Sequence, residues 1–473
     1  MKSQLPLIHE TMKYYSILWA TIFCIAICSS AQAQINPDSH RALLNPIHEW
    51  MIVNSNSVFT FWDEKSAINN ARNGFYGNID VDGTISIGQR NSIQQGRQLF
   101  TIAIWYRFMD QSEDVALTAY NQLQYFLETF HDPEGGEFFI QEDHKPDNKT
   151  RRIYNSSFAI YGLSHYFMAF HDHDNELYRN AANEALNIAL KCFVAMDKRT
   201  HDAAYLGYQQ IPVDDLAQNE IPLDGGDKEA NTHLHIMEAL TSLYEAWKPA
   251  KQSMQNKLSS DDYSYVESQL QKRLDEMLVD VMVNRFCTER DEYAYCRTEF
   301  TRDWTLVNDQ VFSFAHDIEN AWLFMEALRV LGDEVSDQEA VTTMAEKLIH
   351  TVFSHGMEPV DNGYASVALG NISDLSVSSD NKDWWQHFEA FAGLYMGARL
   401  SSSNEQQHAY LKRLMDILTY LDEGDLIVRF SDNMWEYRWE NTLAGPWKAG
   451  YHSLRAMVFV KQWIEEDTGH WRY

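Results

Sequence analysis

The chain has 473 residues, 45% of them hydrophobic and 22% charged, a composition with ample material for a folded core. Its formal net charge of −30 argues against nucleic acid, an anionic membrane surface or an acidic polysaccharide as partner, and leaves a small neutral ligand as the better fit. Gly (21) and Pro (10) are scarce for this length, which favours long helices over strands and tight turns.

The chain opens on an export signal. Tyr14 to Cys28 (YYSILWATIFCIAIC) is apolar over the length of a signal h-region and too short to span a bilayer comfortably. Ala31 and Ala33 then supply the small-x-small pattern, so residues 1–33 read as a signal peptide cleaved after Ala33, with a periplasmic or secreted product. Glu10 sits where a signal should be basic; starting at Met12 gives the cleaner MKYYSILW. Ile27 precedes Cys28 where a lipid anchor needs a small residue, which argues against lipidation. Three cysteines follow the cleavage point: Cys192, Cys287 and Cys296. The last two can close a short disulfide loop in an oxidising compartment, or remain two free thiols.

No Pro-rich linker or low-complexity run divides the rest, so residues 34–473 read as a single domain. Helical periodicity recurs, as in Leu117 to Phe130 and Tyr178 to Met196. Short Gly- and Asp-rich stretches (Asn73 to Gly83, Asp132 to Phe139, Asp361 to Tyr364) read as turns or small hairpins between helices. Cys287 to Trp304 is aromatic and charged without a clear period and reads as an ordered loop.

A loose repeat organises the chain. Six times a polar cluster runs straight into an apolar helical pattern, around Arg97, Tyr154, His235, Glu319, Glu389 and Arg455. With Phe158 marking the second, the spacings are 61, 77, 84, 70 and 66 residues, each long enough for two helices and their connections. A helix apolar nearly all round must be buried on every side. Six such helices, each with a second helix outside it, predict an all-α (α/α)6 barrel with the polar helix starts at one mouth. An open solenoid of helix pairs would also repeat, but it does not require His, Glu, Trp and Arg at its helix starts.

The polar starts carry candidate chemistry. His235–Glu238 and His316–Glu319 are H-x-x-E pairs, and positions i and i+3 share a helix face, so each carboxylate can orient its imidazole. Asn231 extends the first face by one turn, and His452–Arg455 is a third i, i+3 pair. Singly, each such histidine is more often a cap or a satisfied core group. A metal site fits poorly, because His233 and His235 alternate around a helix and the acids follow their histidines by three. Paired carboxylates for glycoside hydrolysis stay open, with Glu238, Glu319 and Glu389 all at the expected mouth. Histidines dominate the cluster, however, and two imidazoles suit proton exchange next to a carbonyl.

The motifs NTHLHIMEAL, HDIENAWLFMEA, KDWWQHFEAF and PWKAGYHSLRA, with the loops NGFYGNID and GGEFF, resemble the N-acylglucosamine 2-epimerase superfamily, most closely its cellobiose 2-epimerase branch. The likeness runs from about Pro46 to the C-terminus. It implies the (α/α)6 barrel and an isomerase that inverts C2 of the reducing-end aldose of a β-1,4-linked disaccharide. By the same resemblance His316 and His452 are the acid–base pair on opposite faces of C2, Glu319 supports His316, and His235 with Asn231 assists ring opening. Arg97, Tyr154 and Arg455 are implied as polar contacts to the sugar, Trp322, Trp384, Trp385 and Trp447 as aromatic walls, with Glu389 and Glu238 among them. The resemblance further implies a monomer, a reducing disaccharide as the only partner, and proton chemistry that needs no metal or nucleotide cofactor. Ala315, Ala449, Gly450 and Ser453 depart from the family pattern beside the histidines, which bears on the preferred sugar. An aldose–ketose isomerase of the same superfamily and a hydrolase on the same barrel are the rival readings.

Overall fold

Helices that are apolar on every side alternate along this chain with helices that are apolar on one. The computed structural model describes residues 35–66, 74–86, 90–142, 152–210, 228–307, 310–424 and 426–469; the expected signal peptide, its cleavage point and Met12 lie outside them. The first kind of helix comprises α2 (Ser92–Phe108), α4 (Ile153–Phe170), α6 (Ala230–Met254), α8 (Phe314–Leu331), α10 (Trp384–Leu400) and α12 (Tyr451–Thr468). In α2 every residue from Ser92 to Tyr106 is buried. The second kind comprises α1 (Pro37–Thr60), α3 (Glu113–Phe130), α5 (Glu176–Thr200), α7 (Ser260–Asp275), α9 (Gln338–His355) and α11 (Asn404–Glu423). In α7 only Val266, Leu270 and Leu274 are buried, a single stripe at four-residue spacing.

Packing follows from that difference. The six helices of the first kind, mostly buried, form a closed inner ring, each against the next, with α12 returning to α2. Each one-faced helix covers the inner helix before it, from α3 on α2 through α11 on α10, while α1 covers α12 and completes the outer ring. This is the expected (α/α)6 barrel. Inner helices α2 and α4 approach to backbone contact at paired glycines: a Cβ on Gly162 would lie 2.6 Å from the Gly96 carbonyl oxygen, and one on Gly96 would lie 2.9 Å from that of Phe158. No larger residue fits at that crossing.

Helix starts differ between the rings. All six outer helices carry a side-chain N-cap, from Asn36, Ser112, Asn175, Ser259, Asp337 and Ser403. Of the inner helices only α2 (Asn91) and α8 (Ser313) do; α4, α6, α10 and α12 start without one.

Within the stretch expected as an ordered loop at Cys287–Trp304, residues 287–296 form a hairpin and Glu299–Phe300 pairs with Lys228–Glu229. Strands β1 (Cys287–Arg290) and β2 (Tyr293–Cys296) pair antiparallel across a two-residue turn in which Asp291 takes a φ of 56°. Cross-strand partners Cys287 and Cys296 are joined by a disulfide, and Cys192 is buried and free. The aromatic residues that hide the period face the barrel, as where Tyr295 packs on Phe312. The stretches at Gly74–Gly83 and Asp361–Tyr364 do form hairpins, and Asp132–Phe139 a turn closed by the His131–Phe138 bridge. Among the described residues no helix is long and apolar enough to cross a membrane.

Candidate active site

The inner helices begin at one mouth, and their first turns surround a cavity of about 250 Å³. Arg97 comes from α2, Tyr154 from α4, Asn231 and His235 from α6, His316 and Glu319 from α8, Trp384 and Trp385 from α10, and His452 from α12. Trp439 and Trp447, on the connection into α12, complete the wall. Because helix starts carry partial positive charge, and four of these starts have no side-chain cap, the cavity favours an anion developing within it.

Three imidazoles face this space, each held by its Nδ1. His235 Nδ1 lies 3.0 Å from Glu238 Oε2, His316 Nδ1 lies 2.8 Å from Ser313 Oγ, and His452 Nδ1 lies 2.6 Å from Glu389 Oε1. That leaves Nε2 of each ring for the cavity. Both His316 and His452 pack on the Trp385 indole, with ring centroids 5.0 and 5.4 Å from it. Burial, with the nearby His235, brings His316 down to about 4. Burial and the charges of Arg97 and Arg455 hold His452 well below the usual imidazole range. Both rings are therefore neutral near pH 7, the form that accepts a proton.

Behind the wall, one cation serves three carboxylates. The fully buried Arg455 guanidinium places one Nη 2.6 Å from Glu319 Oε1 and 2.7 Å from Glu389 Oε1, and bonds Glu238 and the Tyr451 hydroxyl through the other. It is sandwiched against the Trp322 and Tyr451 rings, 4.7 and 4.0 Å from their centroids. The carboxylates respond unequally. Burial pushes Glu238 up, but Arg455 and then His235 pull it down further, to about 2. Burial and the charge of Glu389 lift Glu319 to about 7 against the pull of Arg455. On the far side of the cavity Arg97 lies over the Phe158 ring, 4.2 Å from its centroid, and donates to the Trp447 carbonyl at 2.6 Å and the Tyr154 hydroxyl at 3.3 Å.

Several expected placements change. Of the two H-x-x-E pairs, only His235–Glu238 makes its contact; Glu319 turns to Arg455, and His316 is held by Ser313 instead. The buried guanidinium captures the acid, while the serine three residues before His316 is already at the helix start. Glu238, Glu389, Trp322 and Arg455, expected at the sugar, do not line the cavity but stand behind it. Trp322 donates its Nε1 to Glu389 Oε2 at 2.9 Å, and Glu389 in turn holds His452. The His452–Arg455 pair meets only through Glu389. Ser313, Tyr451 and Trp439 carry parts that the sequence reading did not assign; the S-x-x-H spacing was a readable N-cap signal for the first, and nothing local marks the third.

Two rival chemistries meet obstacles here. Donor atoms of Glu319, Glu389 and His452 lie within 4.8 Å of one another, a spacing that suits a metal ion, but the Arg455 guanidinium already bonds both acids there. Glycoside hydrolysis needs two carboxyl groups facing the substrate, and among the described residues only Glu319 lines the cavity.

Comparison with known proteins agrees with this picture. The family model for N-acylglucosamine 2-epimerase (GlcNAc 2-epimerase) matches residues 74–425. The cellobiose 2-epimerase of Bacteroides fragilis is 24% identical over 417 residues, covering 85% of this chain and 95% of that protein. That of Ruminococcus albus is 26% identical over 418 residues, with the same two coverages. The solved cellobiose 2-epimerase of Bacillus thermoamylovorans B4167 superposes with a TM-score of 0.71 at 20% identity, covering 88% of this chain and 99% of that one, a likeness of fold.

Proposed function

This chain belongs to the N-acylglucosamine 2-epimerase family, a family of carbohydrate isomerases, and from that premise we propose that it inverts C2 of the reducing-end aldose of a β-1,4-linked disaccharide. Cellobiose would give glucosyl-mannose, and mannobiose mannosyl-glucose. The observation that carries the reading is the pair of neutral imidazoles, His316 and His452, packed on one indole with Nε2 of each left for the same cavity.

The pyranose first opens to the C1 aldehyde, with His235 moving the proton between O5 and O1 and Glu238 holding its ring. One imidazole of the pair then takes the C2 proton at Nε2. The electron pair moves into the C1–C2 bond and the carbonyl pair onto O1, giving an enediolate. Arg97 and the uncapped helix starts face that charge. The other imidazole is charged for this step by a proton from Glu319, whose carboxyl is lifted to about 7 beside it, and delivers that proton to the opposite face of C2. Glu389 supports the imidazolium of His452, and Glu319, near 7, can hold a proton beside the pair. Returning the proton to C1 instead would give a ketose, so a slow isomerase activity accompanies the main one. Trp384, Trp385, Trp439 and Trp447 offer apolar faces to the sugar C–H groups.

The chain is exported, on this reading, through residues 1–33. The Cys287–Cys296 disulfide supports an oxidising destination, and N-terminal sequencing of the mature protein that finds Met1 or Met12 retained would overturn it.

Incubation with cellobiose, mannobiose, glucose, mannose and N-acetylglucosamine in D₂O, read by the anomeric NMR signals, tests the function. A 2-epimer carrying deuterium at C2 is the expected product. Cleaved disaccharide, or an epimer without deuterium at C2, would sink the two-base scheme.

A further inference from the structure

Ser313 closes strand β3 (Val311–Ser313), where it is paired with Leu369 of the neighbouring strand β4 (Leu369–Asn371), and α8 begins at the next residue. Its backbone is thereby held by a sheet while its side chain caps a helix. Oγ accepts the backbone N–H of His316 at 3.2 Å and lies 2.8 Å from the ring Nδ1 of the same residue. Among the described residues it is the ring's only hydrogen-bond partner. Glu319 is occupied by Arg455, and Asp317 accepts the Cys296 backbone N–H at 3.2 Å.

A serine hydroxyl has one proton and two lone pairs. If that proton goes to Nδ1, the neutral His316 ring carries its hydrogen on Nε2 and cannot act as a base toward the cavity. If the proton goes elsewhere, Nδ1 carries the hydrogen and Nε2 is free. The surroundings of Ser313 decide between these. Behind His316 lies a second, smaller cavity of about 130 Å³, lined by Ser313, Asn231 and Asn320 among others. Asn231 and Asn320 both line this cavity, and the Oδ1 of each is buried with no hydrogen-bond partner, two acceptors in want of a donor. A water needs only about 10–15 Å³ of such polar space, so bridging waters fit between the hydroxyl and these amides.

We infer that Ser313 is the positioning residue of His316, its Oγ accepting the Nδ1–H while its own proton points to the amide-lined side cavity, so that Nε2 stands free to take the C2 proton. The two imidazoles are then held in the same tautomer by different partners, a carboxylate at His452 and a neutral hydroxyl at His316. When Nε2 takes the C2 proton, the resulting imidazolium keeps its Nδ1–H on Ser313 and returns the Nε2 proton in the reverse step. No proton crosses Ser313. The kinetic half of this inference rests on the epimerase reading; the tautomer half does not.

The test compares Ser313→Ala, Ser313→Thr and Asn320→Leu in the full mature chain. With histidine ¹⁵N labelling near neutral pH, wild-type His316 should read as the Nδ1–H tautomer. Ser313→Ala should give a mixture, Ser313→Thr should keep the wild-type form, and Asn320→Leu should raise the Nε2–H share with the serine still present. Turnover of the epimerised disaccharide should fall about 10- to 100-fold in kcat for Ser313→Ala, with KM little moved, and recover in Ser313→Thr. Wild-type His316 in the Nε2–H form, or an unchanged tautomer in both Ser313→Ala and Asn320→Leu, overturns the inference. Should Ser313→Ala not fold, the Thr and Leu variants still decide the tautomer. A wild-type ring in the expected form with no sugar epimerised defeats the proposed function and leaves the role of Ser313 standing.

Discussion

Glu319 and Glu245 are both glutamates of inner-ring helices, yet one is lifted to about 7 and the other lowered to about 2. They belong to opposite ends of the ring. At the far end Glu245 has two cations, meeting Arg329 at 3.2 Å and feeling Arg107, whereas Arg399 is shared by Glu466 and Asp467, at 3.1 and 3.3 Å, and burial raises both of those acids. At the mouth one guanidinium is shared by three carboxylates, and the surplus negative charge keeps a proton on the site. Burial opposes ionisation in both places; the local ratio of cations to acids decides which glutamate overcomes it. An acid with two cations beside it stays ionised, and acids that share one cation keep a proton among them.

The largest way to separate the ends is to remove a base. His316→Ala or His452→Ala should lower turnover by about 10²–10⁴-fold, the usual worth of one acid–base group. Thermal unfolding should move little, and a matching loss of stability would place these histidines with the structural groups instead. Next comes Arg455→Met, which strands three buried acids. Breaking such a group costs about 3–5 kcal/mol, so both denaturant midpoint and activity should collapse, whereas Glu245→Gln at the closed end should cost about 1 kcal/mol and leave kcat intact.

The two glutamates should also answer pH with opposite sign. Glu319 holds its proton in the folded state up to about 7 but loses it from about 4.5 when unfolded, so its ionisation erodes stability as pH rises through that window. Glu245, lowered to about 2, contributes stability that is present above about 4.5 and lost as pH falls toward 2. Urea unfolding across pH should therefore show Glu319→Gln gaining on the wild type between 4.5 and 7, and Glu245→Gln closing its deficit below 4.5. Parallel curves for the two variants would remove the contrast between the ends. The smallest effect is expected at the rim: Trp447 is 49% exposed, and Trp447→Ala should raise KM several-fold with kcat nearly unchanged.

Much of this was legible along the chain. The six polar helix starts fell on the six inner helices because an all-round apolar pattern has only one place to go in a two-ring fold. Ten of the fourteen residues singled out from sequence line the cavity, nine of them because their place near the starts of those helices already sets which end they occupy, and Trp447 from the connection into α12. The i, i+3 rule succeeded at His235–Glu238, where nothing stronger competes for the acid, and failed at His316–Glu319, where a guanidinium from α12 does. Cys287–Trp304 reads as a loop from sequence because its second strand buries Ala294, Tyr295 and Cys296 in a row, which hides the alternation of a strand.

By itself, the order of residues determined the helices, their inner or outer place, and the end at which histidine, tryptophan and arginine gather, all consequences of local periodicity and of the need to bury apolar surface. Only the tertiary structure decided which acid meets which base, Glu389 with His452 across 63 positions and Glu319 with Arg455 across 136, which leaves His316 to the serine three residues before it. Hydrogen bonds and ion pairs reach only about 3 Å, so their partners are chosen by how the ring closes and not by spacing along a helix.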